Sequence, residues 1–164
     1  MSGKNYNRDL RPNAPKVFGR VADFVIGDLK DPYLLRWWVI PRNKWFNIYL
    51  HNTLSDDDDR ALHDHPWWNV SILMKGHLAE VYGDGKLRYF RRFIPIFRKA
   101  TAKHRLFLPH NRKFAWTLFI TGPRIRDWGF HCPRGWVHWK DFVADNPGEI
   151  GRGCGEQDKP ANDA

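Results

Sequence analysis

Residues 61–76 read Ala-Leu-His-Asp-His-Pro-Trp-Trp-Asn-Val-Ser-Ile-Leu-Met-Lys-Gly, and this stretch decides the fold. In an extended strand, side chains two apart share a face. His63 and His65 therefore aim both imidazoles to one side, and Asp64 faces the other. Imidazole nitrogen is a borderline donor that suits iron, zinc, copper and nickel, so two convergent rings are the start of a metal site. Pro66 has no N–H to give to a ladder, so the strand bulges, bends or ends there. The apolar run 70–74 then predicts a buried strand, closed by Gly76.

Further along, His104 opens the strand-like run His-Arg-Leu-Phe-Leu, in which His104, Leu106 and Leu108 share a face. Two ligands from one strand, a glycine turn and a third ligand from a later strand make a coherent set. His51, in an earlier strand-like run, is the substitute ligand. His77, His110, His131 and His138 read as exposed or hydrogen-bonded histidines.

From Trp37 onward the chain has a β texture. Its segments RWWVI, WFNIYLHNTL, WNVSILMKGHLAEVYG, KLRYFRRF, KHRLFLP, FAWTLFITG and WVHWKDF are rich in aromatic and β-branched residues. Pro41, Gly76, Gly83-Asp84-Gly85, Pro109 and Gly122-Pro123 separate them, and the Gly83–Gly85 turn predicts a hairpin. Many short strands at roughly 8–12 residue spacing predict a sandwich or barrel. Residues 21–36, with Val21, Phe24, Val25 and Leu29, predict one short helix or turn, broken at Asp31-Pro32. Residues 1–20 read as a polar arm, residues 21–144 as one barrel domain and residues 145–164 as a flexible, glycine-rich tail. The Asp56–Asp59 run reads as a solvated connection, because adjacent carboxylates repel and lack the spacing of a calcium loop.

The chain has 164 residues, enough for one buried core, with nine Trp, eleven Phe and five Tyr to fill it. Its net charge of +9 admits an anionic ligand, an acidic partner or nucleic acid. No helix-turn-helix, RNP-like or zinc-finger pattern accompanies that charge. Arg88, Arg91, Arg92, Arg98 and Lys99 interleave with Tyr89, Phe90, Phe93 and Phe97, a mixture that could stack single-stranded nucleic acid. A hairpin with one wet and one dry face explains it more simply. Cys132 and Cys154 form no CxxC pair, so no disulfide is expected, and a reducing cytoplasmic location fits. No run of eighteen apolar residues predicts a membrane span, and the N-terminus lacks a signal peptide's apolar stretch. Cys132 has no histidine dyad for nucleophilic catalysis.

These residues resemble the cupin superfamily. Its first motif reads HxH, a few residues, Glu, then an apolar strand ending in Gly, and its second supplies another His. HDHPWWNVSILMKG is similar to the first and AKHRLFLP to the second, and the resemblance covers residues 37 to 140. The chain also resembles small uncharacterised cupin-like proteins of bacteriophages and bacteria, in ALHDHPWW, WTLFITGPRIRDWGF and CPRGWVHW. The resemblance implies an all-β, cupin-type double-stranded β-helix (a jelly-roll barrel) with a short N-terminal helical or irregular segment. It implies one divalent metal ion on His63, His65 and His104, with iron, zinc, manganese and nickel all open. Counting back from Gly76, the family's Glu falls on Asn69, so the ligand set is neutral. Such a site keeps the ion's full charge, favours an anionic ligand and acidifies bound water.

Around that centre, Asn69 and Trp116 are candidates to shape the pocket, with Trp116 alternatively part of the core. Arg124 and Arg126 share a face if extended. They form either an anion clamp or ion pairs with Asp127 or Asp141. The reading that follows is a metal-dependent enzyme, with a dioxygenase leading, acting on a small anionic molecule; catalytic residues are unassigned. A non-catalytic ligand- or protein-binding module of phage type is the alternative, and a basic nucleic-acid-binding accessory protein the third. Barrels of this kind often dimerise through sheet edges, so a homodimer is an open expectation.

Overall fold

The computed structural model describes residues 16–27, 31–57, 61–109, 113–144 and 151–155. Along the chain come β1 (Phe24–Gly27), β2 (Pro32–Trp38), β3 (Asn47–Thr53), β4 (Leu62–His63), β5 (Asn69–Gly76) and β6 (Ala79–Tyr82). Then come β7 (Lys86–Tyr89), β8 (Pro95–Arg98), β9 (His104–Phe107), β10 (Ala115–Thr121), β11 (Gly129–Cys132), β12 (Gly135–His138) and α1 (Trp139–Phe142). The strands form two six-stranded sheets, ordered β1-β2-β3-β10-β5-β8 and β12-β11-β4-β9-β6-β7. Every strand pairing is antiparallel, as the all-β reading expects.

The inner face of the first sheet follows from side-chain alternation. On β10, Ala115, Thr117, Phe119 and Thr121 are buried, and on β5 Asn69, Ser71 and Leu73 are buried. The two strands place Thr121 against Asn69, Phe119 against Ser71 and Thr117 against Leu73. One part of the interior is apolar, where Leu73, Leu78, Phe90, Ile96, Leu108 and Ala115 pack together. The Asn69, Ser71 and Thr121 rows are polar instead. Buried polar side chains need partners, so the interior is apolar in one part and polar in the other. Gly76 closes β5 at φ +87°, a conformation that favours glycine, and a Cβ there would collide with the Phe114 carbonyl.

Several local expectations are corrected. The described residues of 21–36 contain β1 and the start of β2 rather than a helix, paired from Phe24↔Arg36 to Gly27↔Pro32, and Leu29 lies outside the described residues. Val21, Phe24 and Val25 have helical spacing, but cross-strand pairing and burial of Val25 with Leu35 and Trp37 override that local signal. The segment WVHWKDF is strand only to His138. It then turns into α1, where the His138 side chain accepts from the Lys140 amide at 3.2 Å. Pro95 opens β8 at the sheet edge, where a missing N–H does no harm. Asp56 is not merely solvated, since its Oδ1 accepts from the Leu108 amide at 2.7 Å. Asp58 and Asp59 lie outside the described residues, as do residues 1–15 of the N-terminal arm.

Cys132 and Cys154 are joined in a disulfide, with Cα atoms 5.4 Å apart, against the expectation of two free thiols. The cysteine argument for a reducing compartment falls with it. Within the stretch read as a flexible tail, residues 151–155 lie against α1, and the Gly153 amide donates to the Phe142 carbonyl at 3.0 Å. No helix among the described residues is long and apolar enough to cross a membrane. The cross-link spans a sequence separation of 22, and closing a loop of that size in the unfolded chain is worth about 3 kcal/mol. Cys154→Ser is expected to lower unfolding stability in urea by about that amount. Reductant should reproduce the loss in the parent protein and leave the variant unchanged; insensitivity of the parent would contradict the assignment.

Candidate metal centre

The register of the second sheet builds the site. His63 on β4 pairs directly with His104 on β9. The chain leaves β4 at once, and the His65 amide donates to the Ala100 carbonyl at 3.1 Å. The three imidazoles form a near-equilateral group, with ring centroids 4.9, 5.0 and 5.1 Å apart. One donor nitrogen from each lies within 4.8 Å of the others. His65 Nε2 and His104 Nε2 are 2.9 Å apart. Two nitrogens each about 2.1 Å from one ion and at right angles to each other stand about 3 Å apart, so the spacing fits a shared metal.

Protonation favours the same use. His104 Nδ1 faces Glu80 Oε2 at 2.9 Å, and His63 Nδ1 faces Asp57 Oδ2 at 2.9 Å. The His104–Glu80 contact is a hydrogen bond, which fixes the ring proton on Nδ1 of His104 and leaves its Nε2 as the donor to a metal. Burial pushes the pKa of His65 well below the usual histidine range, and His63 and His104 push it further. Burial does the same to His104, reinforced by Arg98, His63 and Arg88. Neutral rings are what a metal requires.

Behind His104 lies a buried ion network. Glu80 is fully buried and Arg98 is 3% exposed. Glu80 Oε2 accepts from Arg98 Nε at 2.9 Å and from Arg98 Nη2; Oε1 accepts from Arg88 Nε at 2.6 Å and from Arg88 Nη2. Arg98 Nη1 continues to Ser71 Oγ at 3.0 Å and Asn69 Oδ1 at 3.2 Å. On the His104 side one carboxylate thus faces two guanidiniums, while the Asp57 carboxylate stands behind His63. A hollow of about 310 Å³ next to His104 is lined by Tyr82, Arg88, Arg98, Thr101 and Lys103. The sequence reading did not include Glu80 in the site.

The other candidates separate. Asn69 is fully buried in the interior, but its Oδ1 is taken by Arg98 rather than facing the histidines. Asn69 Nδ2, Thr121 Oγ1 and Trp67 Nε1 are buried without a hydrogen-bond partner among the described residues. Such groups invite a bound molecule. Trp116 lies on the other face of β10, its ring 5.4 Å from that of Trp37 in an outer apolar cluster, so it packs rather than walls the pocket. Arg124 is exposed and ion-paired with Asp127. Arg126 pairs not with Asp127 or Asp141 but with Asp64, at 2.9 Å. Buried Asp64 also takes the Gly129 amide at 2.9 Å, His131 Nε2 at 3.1 Å and Trp136 Nε1 at 3.1 Å. It fastens β4 to β11 and β12. His51 stands outside the triad, its Nε2 accepting from Arg36. Arg88 and Arg98 are committed to Glu80 and leave the basic-aromatic stripe that could have held nucleic acid.

No protein-family model and no curated protein sequence matches the chain. Solved structures do resemble it. HppE in its Fe(II) form matches at 13% identity with a TM-score of 0.51, over 68% of this chain and 62% of that one. The DMSP lyase DddQ from Ruegeria pomeroyi DSS-3 matches at 11% identity with a TM-score of 0.50, over 63% of this chain and 54% of that one. An uncharacterized conserved protein with a double-stranded β-helix domain, from Klebsiella pneumoniae, matches at 12% identity with a TM-score of 0.49, over 59% of this chain and 78% of that one. The match spans less than two thirds of the length of HppE and of DddQ. At these identities the likeness concerns the fold. Two facing antiparallel sheets in this strand order, together with that likeness, show that the chain has a double-stranded β-helix fold of the cupin type.

Proposed function

We propose that this protein is a metal-dependent cupin enzyme that acts on a small anionic molecule, with oxygenation as its leading reaction type. The observation that carries this reading is the convergence of His63, His65 and His104, two of them backed by carboxylates. Three imidazoles suit a divalent iron, zinc, manganese or nickel ion and leave coordination positions for other ligands. A bound ion of this kind supplies Lewis acidity and, if it is iron, a centre for oxygen chemistry. HppE is a structural neighbour described with Fe(II), which supports iron as the first ion to test. Burial favours the neutral form of His65 and His104, and Glu80 fixes the His104 tautomer. Arg88 and Arg98 both bear on Glu80 and offset its charge beside His104. An all-imidazole donor set would leave a bound ion its full charge, which favours an anionic substrate over a cationic one.

Elemental analysis tests the reading. The purified protein should carry one ion per triad, and His63→Ala/His65→Ala/His104→Ala should carry none. Iron would direct oxygen-consumption assays with small acids. A parent protein that takes up no ion, even on reconstitution, would sink the enzyme reading and leave a ligand-binding barrel.

A further inference from the structure

The inner face of the first sheet holds a second cation that the metal centre does not use. Arg36 lies on β2 between Leu35 and Trp37, and those two face outward into the cluster with Trp116. Arg36 therefore faces the interior. Its Nε donates to His51 Nε2 at 2.8 Å, and its guanidinium carbon lies 4.7 Å from the Tyr49 ring centroid. The His51 ring is 4.9 Å from that of Phe119, and the Phe119 ring is 6.1 Å from that of His65. A continuous row of rings thus connects Arg36 to the triad.

Arg36 differs from the other arginines near the interior. Arg88 and Arg98 hold Glu80, and Arg126 holds Asp64. Among the described residues no carboxylate pairs with Arg36, whose contacts are a neutral imidazole and aromatic faces. Burial draws its pKa down to about 10, with Arg42 adding repulsion, so it stays charged at neutral pH. Burial, Arg36 and His65 push the His51 pKa well below the usual range, which keeps that ring a hydrogen-bond acceptor. A half-buried guanidinium supported only by neutral groups favours an anion. The hollow beside His104 is the weaker anchor, because Arg88 and Arg98 are committed to Glu80 and Lys103 to Asp84.

We propose that Arg36, oriented by His51, is the anion anchor of this site and binds the carboxylate of a small substrate whose apolar body lies along Tyr49 and Phe119 toward the three histidines. This assignment rests on the metal-enzyme reading for its chemistry, but not for its binding step. The His51 bond occupies Nε, leaving the paired Nη groups, whose planar fork matches a planar carboxylate. The rings of Tyr49 and Phe119 offer aromatic faces suited to an apolar body.

Calorimetric titration of the protein with acetate, pyruvate and benzoate, both chelator-treated and metal-loaded, tests this; inorganic phosphate serves as the comparison. At least one carboxylate should bind, and Arg36→Met should weaken it by about tenfold or more, the worth of a lost charge-assisted bond. Arg36→Lys, which keeps the charge without the fork, should recover part of the loss. Metal content should be unchanged in both variants, and near-UV circular dichroism should report an intact fold. Binding as tight in Arg36→Met as in the parent would overturn the assignment, as would no carboxylate binding at all. Phosphate bound more tightly than every carboxylate would overturn the substrate class. A protein that takes up no ion, yet loses carboxylate binding on Arg36→Met, would retain the anchor and remove the enzyme reading.

Discussion

Glu80→Gln is expected to destabilise this protein by about 3–5 kcal/mol, the usual consequence of leaving a buried charge without its partner. The substitution keeps the shape of the side chain, so no cavity forms. It removes the one carboxylate that faces Arg98, which is 3% exposed and has nowhere to rehydrate. The amide retains a single acceptor oxygen where two guanidiniums and one imidazole now meet four lone-pair directions. Arg88 belongs to the same network but is 36% exposed, so it can turn to water. Arg88→Met should therefore be mild, under about 1 kcal/mol. A second effect follows at His104, whose Nδ1 loses its charged partner. Metal affinity, read by competition with a chelator, should fall by about 10–100-fold. A Glu80→Gln protein as stable in urea as the parent would show that Arg98 is not held by this pair.

How much of this was legible differs from residue to residue. His63 and His65 could be placed because strand alternation acts between neighbours, and it requires no knowledge of the fold. His104 needed a guess about which later strand would lie alongside, and the β4–β9 register supplies that contact. Glu80 carries a local signal in the sequence. A turn at Gly83–Gly85 makes Tyr82 pair with Lys86, and two residues further Glu80 meets Arg88. A carboxylate in an apolar strand, facing an arginine across a predicted hairpin, is a buried-pair signature. The Arg98 contact had no such local cue, because β8 belongs to the other sheet. Trp116 failed for a one-residue reason: Thr117 and Phe119, not Trp116, face inward on β10. Arg126 found Asp64 across the barrel wall, a pairing set by the path of the loop after β10. The disulfide likewise depends on residues 151–155 returning past α1, which no spacing rule contains.

The metal-free protein is expected to lose stability steeply as the pH falls below about 6.5, the ordinary histidine value. His51, His65 and His104 all have folded-state pKa values pushed well below that value, in each case first by burial. In the unfolded chain the same rings take up protons near their ordinary value. Above it neither state is protonated, and the three contribute their full stability. As the pH drops, the unfolded state binds protons that the folded state refuses, so stability is progressively lost until the folded pKa values are reached. With three such rings the slope can approach about 4 kcal/mol per pH unit. Urea unfolding at stepped pH in chelator should reveal it, and His51→Phe should remove about one proton's share, roughly 1.4 kcal/mol per unit. Stability that stays level between about pH 7 and about pH 5 would mean that these rings are not held neutral. The same depression acts on metal uptake in the opposite sense. Rings that are already deprotonated lose no proton when an ion binds, so the part of the affinity owed to His65 and His104 should persist into mild acid. Acid would thus weaken the fold before it weakens those two ligands, and a bound ion, by favouring the folded state, should move the unfolding transition to lower pH.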